Sequence, residues 1–174
     1  MVFYQLVVLP TQETVDYIRT QMSPPPFDID LDKLHVVVLT SRQPIPESAG
    51  QIYIAKSKKL DRVYDSQLQR STFTMSLDSP ALQELYSSLV QAGCKDAFYK
   101  EFYPHMHLVD GMPPGAPSFR KFRVAMENIF SESEVELEFG NELVMTKDIS
   151  YPVDSDYQEL MNMEVRNGNS FLSL

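Results

Sequence analysis

Short apolar runs broken by turn residues alternate along this chain with stretches of helical periodicity. Val2 to Leu9 are β-branched, aromatic and aliphatic and are closed by Pro10, which reads as a buried strand. Thr11 is placed to cap a helix, with Thr14 where a capping box would carry Glu or Gln. Val15, Ile18 and Met22 then form an apolar stripe, which Ser23 and three prolines end. The segment Phe27 to Lys33 is acidic and irregular. A second strand is predicted from Leu34 to Thr40, reading LHVVVLT and stopped by the turn-rich SRQPIPESAG. Two more are predicted at Gln51 to Ala55 and Ser71 to Leu77. The locally basic KSKKLDRVYDSQLQR between them reads as a connecting loop.

Ser79-Pro80 opens a helix, with the serine as cap and the proline at the first helical position. Leu82, Leu85, Tyr86 and Leu89 form its buried face, and Gly93 stops it. A strand follows over Phe102 to Asp110. Then come the proline-rich GMPPGAP and a helix over Ser118 to Phe130, with a stripe of Phe119, Phe122, Met126 and Phe130. The alternating Val135 to Phe139 and the run Asn141 to Thr146 predict a hairpin turning near Gly140-Asn141. Residues 1–149 thus form one domain of two lobes. Residues 150–174, where the pattern weakens, read as a mobile or partner-binding tail. The order is strand, helix, three strands, helix, strand, helix, two strands. Hairpins and crossover helices together predict an α+β fold with mixed parallel and antiparallel pairing, and two halves alike in outline.

Composition adds limits. The chain has 174 residues, 43% of them hydrophobic and 22% charged, which is globular rather than disordered. Its formal charge of −9 argues against double-stranded nucleic acid, which demands a basic face. A small anionic substrate held by a few local cations stays compatible. Cys94 is the single cysteine, so neither an internal disulfide nor a thiolate metal site is expected. No apolar run approaches membrane-spanning length, and MVFYQLVVLP lacks the features of a signal peptide. The expectation is a cytoplasmic protein without membrane partners.

The candidate chemistry lies in three histidines, His35, His105 and His107, all on predicted strands. Alternation puts Lys33, His35 and Val37 on one face of the earlier strand, and Tyr103, His105 and His107 on one face of the later. Histidine titrates near neutrality and can serve as acid in one step and base in another. Two facing histidines would suit in-line cleavage of a phosphodiester. The plainer reading makes them satisfied core histidines.

LHVVVLTSRQPIP, followed far downstream by EFYPHMHLVDG, resembles the two-histidine (2H) phosphoesterases, especially small members encoded by bacteriophages. Some of those cleave the cyclic nucleotide signals of bacterial immunity. The likeness covers residues 2 to 149. It implies a bilobal, pseudo-symmetric α+β fold with a His-x-Thr or His-x-Ser motif on an inner strand of each lobe. His35 matches the first histidine and His105 the second, with an aromatic residue and Pro104 ahead of His105. The resemblance implies a metal- and cofactor-free phosphodiesterase acting on a cyclic or 2′,5′-linked nucleotide, in the host cytoplasm if phage-encoded. It departs from the family where hydroxyls hold the phosphate: Val37 and His107 occupy those positions. Thr40 points away from His35 on a regular strand. His107 can donate to a phosphate oxygen, and Lys33 or Arg42 can supply charge. A non-catalytic descendant binding a nucleotide or a protein is the rival, favoured by the missing hydroxyl at Val37.

Other readings of the same residues carry less. His105-x-His107 with His35 has the composition of a three-histidine zinc site. Cys94 follows Gly93 with no histidine near in sequence and reads as structural. The KSKK run reads as solvated before it reads as a phosphate-recruiting patch. Met106, Met112, Met161 and Met163 read as packing residues. Asp28 to Asp32 falls short of a calcium loop.

Overall fold

The structure, a computed structural model, describes residues 2–21, 34–46, 50–65, 70–97, 100–112, 120, 124 and 134–148. Its elements are β1 (Val2–Pro10), α1 (Gln12–Gln21), β2 (His35–Ser41), β3 (Tyr53–Asp65), β4 (Arg70–Asp78), α2 (Pro80–Gln91), β5 (His105–Met112) and β6 (Glu136–Asp148). The strands close a barrel in the order β1-β2-β5-β4-β3-β6. Every described pairing is antiparallel. The α+β class is as expected from the sequence, but the parallel component is absent among the described strands. A helix between two antiparallel neighbours returns the chain to the adjacent position without a parallel crossover.

Strand alternation sorts the barrel wall into two faces. Val36, Val38, Met106, Leu108, Phe73 and Met75 join one apolar cluster with Leu6, Val8, Leu137 and Phe139. Ile18 of α1 and Leu82 and Leu89 of α2 belong to that cluster, so the helices pack on this face. Phe139, Met106 and Leu82 are fully buried. The residues between these, His35, Val37, Thr74, His105 and His107, lie on the opposite face.

The connectivity repeats. β1-α1-β2 and β4-α2-β5 are both strand–helix–strand units whose strands pair with each other. β2 and β5 meet side by side, and each half continues outward, through β1 to β6 or through β4 to β3. The irregularities repeat too. On β2 the register passes from Val37↔Val7 to Leu39↔Leu6, leaving Val38 extra. On β5 it passes from His107↔Thr74 to Val109↔Phe73, leaving Leu108 extra. Each bulged residue stands three positions after a histidine, His35 or His105.

Local rules explain the helix boundaries. Thr11 accepts the Thr14 amide at 3.3 Å, as an N-cap should. Thr14 Oγ1 accepts from the Glu138 amide at 2.9 Å, so the residue standing in for a capping-box Glu ties α1 to β6. Ser79 Oγ accepts the Leu82 amide at 3.2 Å and donates to the Ile54 carbonyl at 2.7 Å, joining the start of α2 to β3. Gly93, at φ 99°, takes the left-handed position after the helix that a side chain would strain.

Two expectations are corrected. The basic KSKKLDRVYD is not a loop: it is the body of β3, paired with β4 from Lys56↔Asp78 to Asp65↔Arg70. A partner strand satisfies its backbone, and Ser57 and Leu60 face the core side while Lys56 and Lys59 do not. Gly140-Asn141 is not a hairpin turn. β6 runs straight through, pairing β3 at Glu136 to Phe139 and β1 from there to Asp148. Gly140 pairs with Leu9, and the bulge opposite Val8 is made by Asn141 and Glu142. Of the helix predicted over 118–130, only Arg120 and Val124 are described, and both are helical. Met22, the acidic 27–33 segment and residues 150–174 lie outside the described residues.

Ser79 makes a cap and an inter-element tie at once. Ser79→Ala is therefore expected to destabilise the protein by about 1–2 kcal/mol in denaturant titration, with the slope unchanged.

Candidate functional site

Among the described residues β2 and β5 share two register pairs, His35↔His107 and Val36↔Met106. Because cross-strand partners point to the same side, this short ladder stacks the His35 and His107 rings, with centroids 4.9 Å apart and planes 4° from parallel. His105, two residues before His107, brings its ring to 5.1 Å from it at a 45° tilt. His107 therefore adjoins both of the histidines that begin β2 and β5. All three rings are half-buried.

His105 is the most constrained. Its Nδ1 lies 2.8 Å from the Tyr103 carbonyl, which can only accept, so the neutral ring carries its proton on Nδ1 and its lone pair on Nε2. Burial is the main cause that pushes its pKa down to about 4. A charge on His107 pushes the same way, and one on His35 does so more weakly; the Tyr103 carbonyl opposes them. His105 is thus neutral at physiological pH, with a base lone pair and an anchored ring.

The face continues as two polar rows. His107 is opposite Thr74, and Thr74 opposite Asp61; His105 is opposite Ser76, and Ser76 opposite Lys59. Thr74 and Asp61 are buried. These residues were missed on sequence. The alternation of Thr72, Thr74 and Ser76 with Phe73, Met75 and Leu77 was the available signal for a strand with a polar face. On the other side of the histidines the face is apolar: Val37 is half-buried and opposite the buried Val7.

The remaining candidates are dispersed. The bulge at Val38 corrects the expectation for Thr40. Val38 and Leu39 both face the core, so Thr40 returns to the histidine face, where its hydroxyl accepts from Gln5 Nε2 at 3.2 Å. Arg42 lies just beyond β2, roughly 20 Å from His35 by strand rise, with its guanidinium 5.9 Å from the Phe3 ring centroid. The structure does not bring it to the histidines. Tyr103 is exposed, and its hydroxyl donates to Glu101, whose hydrogen bond and charge raise the phenol pKa. Lys33 lies outside the described residues. Cys94 is buried.

The rings do not form the zinc arrangement. Imidazole lone pairs lie in the ring plane, and the parallel planes of stacked His35 and His107 share no point for an ion. Among the described residues no group of three or more His, Cys, Asp or Glu is placed to hold a metal. No described helix is long and apolar enough to cross a membrane.

A family model described as the anti-CBASS protein Acb1 matches residues 10–159, which is most of the chain. No curated protein matches it.

The depressed His105 pKa makes the unfolded state bind more protons between its ordinary value of 6.5 and about 4. Stability is therefore expected to be full above pH 6.5 and to fall as pH drops toward 4. NMR titration should show the His105 ring neutral down to pH 5, and His105→Gln should flatten that part of the stability profile. A His105 ring titrating near 6.5 would contradict the geometry.

Proposed function

The chain belongs to the Acb1 family of anti-CBASS proteins, and from that premise we propose that it is a phosphodiesterase working through paired histidines, without metal. Family membership assigns it to phage anti-defence, against bacterial cyclic-nucleotide immune signalling, with a cyclic nucleotide as ligand. The finer reading is a two-histidine phosphoesterase acting in the host cytoplasm on a cyclic or 2′,5′-linked nucleotide.

The observation that carries this reading is the equivalence of His35 and His105. Each begins its inner strand, each precedes a bulge by three residues, and each lies against His107. The repeated strand–helix–strand units and matching bulges are what a pseudo-symmetric two-lobed fold would have.

Neutral His105 suits the base role. Its Nε2 takes the proton from the attacking hydroxyl or water as the new P–O bond forms. His35, protonated, gives its proton to the departing oxygen as the old P–O bond breaks. His107, beside both, donates to a phosphate oxygen where the family carries a hydroxyl. A charge on His35 disfavours a second one on His105, which keeps acid and base distinct.

Val37 is the observation that favours a second reading, a non-catalytic binder. Its side chain has no hydrogen bond to offer, and its neighbour Val7 adds more apolar surface. Turnover decides between the two.

The protein should therefore be incubated with cyclic di- and trinucleotides and RNA 2′,3′-cyclic ends, with products read by mass spectrometry. Cleavage of at least one is expected, unchanged by EDTA, and reduced about 100-fold or more by His35→Ala or His105→Ala. Binding without cleavage by the wild type would leave only the binder.

The altered hydroxyl positions give a further test. Val37→Thr with His107→Thr restores the family's two hydroxyls on the histidine face, and the pair is expected to raise rate or affinity for standard family substrates about tenfold or more. Thermal denaturation must show the double variant folded. No gain in a folded variant would mean that the face does not hold the phosphate.

A further inference from the structure

We propose that Lys59 is the cation that holds a phosphate of the substrate beside the histidines, and that buried Asp61 is its anchor. The inference rests on reading the histidine face as a phosphate site. Lys59 belongs to the basic run that forms the body of β3.

Three features position Lys59. The first is a bulge: the β3–β4 register passes from Ser57↔Leu77 to Lys59↔Ser76, leaving Lys58 extra. That extra residue turns Lys59 to the face of His105 and leaves Leu60, opposite Met75, on the core side. The second is a clamp. Ser76 Oγ accepts the Lys59 amide at 3.1 Å and donates to the Lys59 carbonyl at 3.1 Å, which fixes the backbone at the bulge. The third is the ion pair of Lys59 Nζ with Asp61 Oδ1 at 3.0 Å.

That ion pair is lopsided. The Asp61 side chain is 3% exposed and the Lys59 side chain 66%. Carboxylates are seldom buried to this degree without a counter-charge, and Lys59 supplies it. An ammonium has three donors, and one suffices for Asp61. The other two remain for an anion arriving from solvent.

The location fits that use. Lys59, Ser76 and His105 are successive partners across β3, β4 and β5, which puts Lys59 about 10 Å from His105 at ordinary strand spacing. A lysine stem reaches over much of that distance. In a chain of net charge −9, an anionic ligand is repelled at long range and needs a local cation at the site. Arg42 is too far along the face, whereas Lys56 is drawn to Glu134 at 3.4 Å.

The test is calorimetric titration with phosphorothioate cyclic di-AMP and cyclic di-GMP, which resist turnover, at two salt concentrations. Lys59→Gln should raise Kd about tenfold or more and weaken its salt dependence, as loss of a charge-assisted contact requires. Lys59→Arg should keep binding within a few-fold of wild type, and Lys95→Gln, a cation outside the face, should bind as wild type does. Thermal denaturation checks that each variant is folded. Wild-type affinity and salt dependence in Lys59→Gln, while wild type binds or cleaves the nucleotides, would overturn this assignment alone. If wild type neither binds nor cleaves any cyclic nucleotide, the phosphate-site reading falls and this one with it.

Discussion

The site depends on one short antiparallel ladder, the two register pairs that join β2 to β5. Everything on the histidine face is set by it. Because directly opposed side chains point the same way, pairing His35 with His107 stacks two rings and carries His105 alongside. A slip of one residue would turn the histidines of one strand to the apolar face, where Val36 and Met106 now lie fully buried. The apolar cluster thus enforces the register. Histidines on its face would be desolvated without compensation, and Val36 and Met106 on the other would lose their packing.

Bulges give the ladder its second layer of control. Those at Val38 and Leu108 flank the histidine pair at equivalent distances, and the one at Lys58 turns a lysine to the same face. Each resets alternation on one side only. The histidines keep strict alternation while residues further along, Thr40 and Lys59, are re-aimed. The resulting face is asymmetric despite the repeated connectivity. One side of the histidines is lined by Thr74 and Ser76, the other by Val37 and Val7. The site thus has a polar side and an apolar side.

The electrostatics follow from the packing. His105 is anchored by the Tyr103 carbonyl and partly buried, so its ring is held in one tautomer and its charged form is disfavoured. His107 faces the row that ends in the buried Asp61. Rings of the same type, within about 5 Å of one another, are differentiated by what lies behind each of them.

Much of this was legible in the chain itself. Apolar alternation located β1, β2 and β4, the Ser79-Pro80 cap and Gly93 bounded α2, and strand periodicity put His105 and His107 on one side. These depend on near neighbours, so local physics determines them. The extent of β3 and the passage of β6 through Gly140-Asn141 do not. Polar stretches become strands when a partner supplies hydrogen bonds, and that partner is distant in the chain. Bulges are likewise a property of two strands together, so neither the return of Thr40 nor the arrival of Lys59 could be read from one. Sequence determined that three histidines would share strand faces. Only the closed barrel decided that they would meet, because cross-strand register arises when the apolar faces are packed against one another.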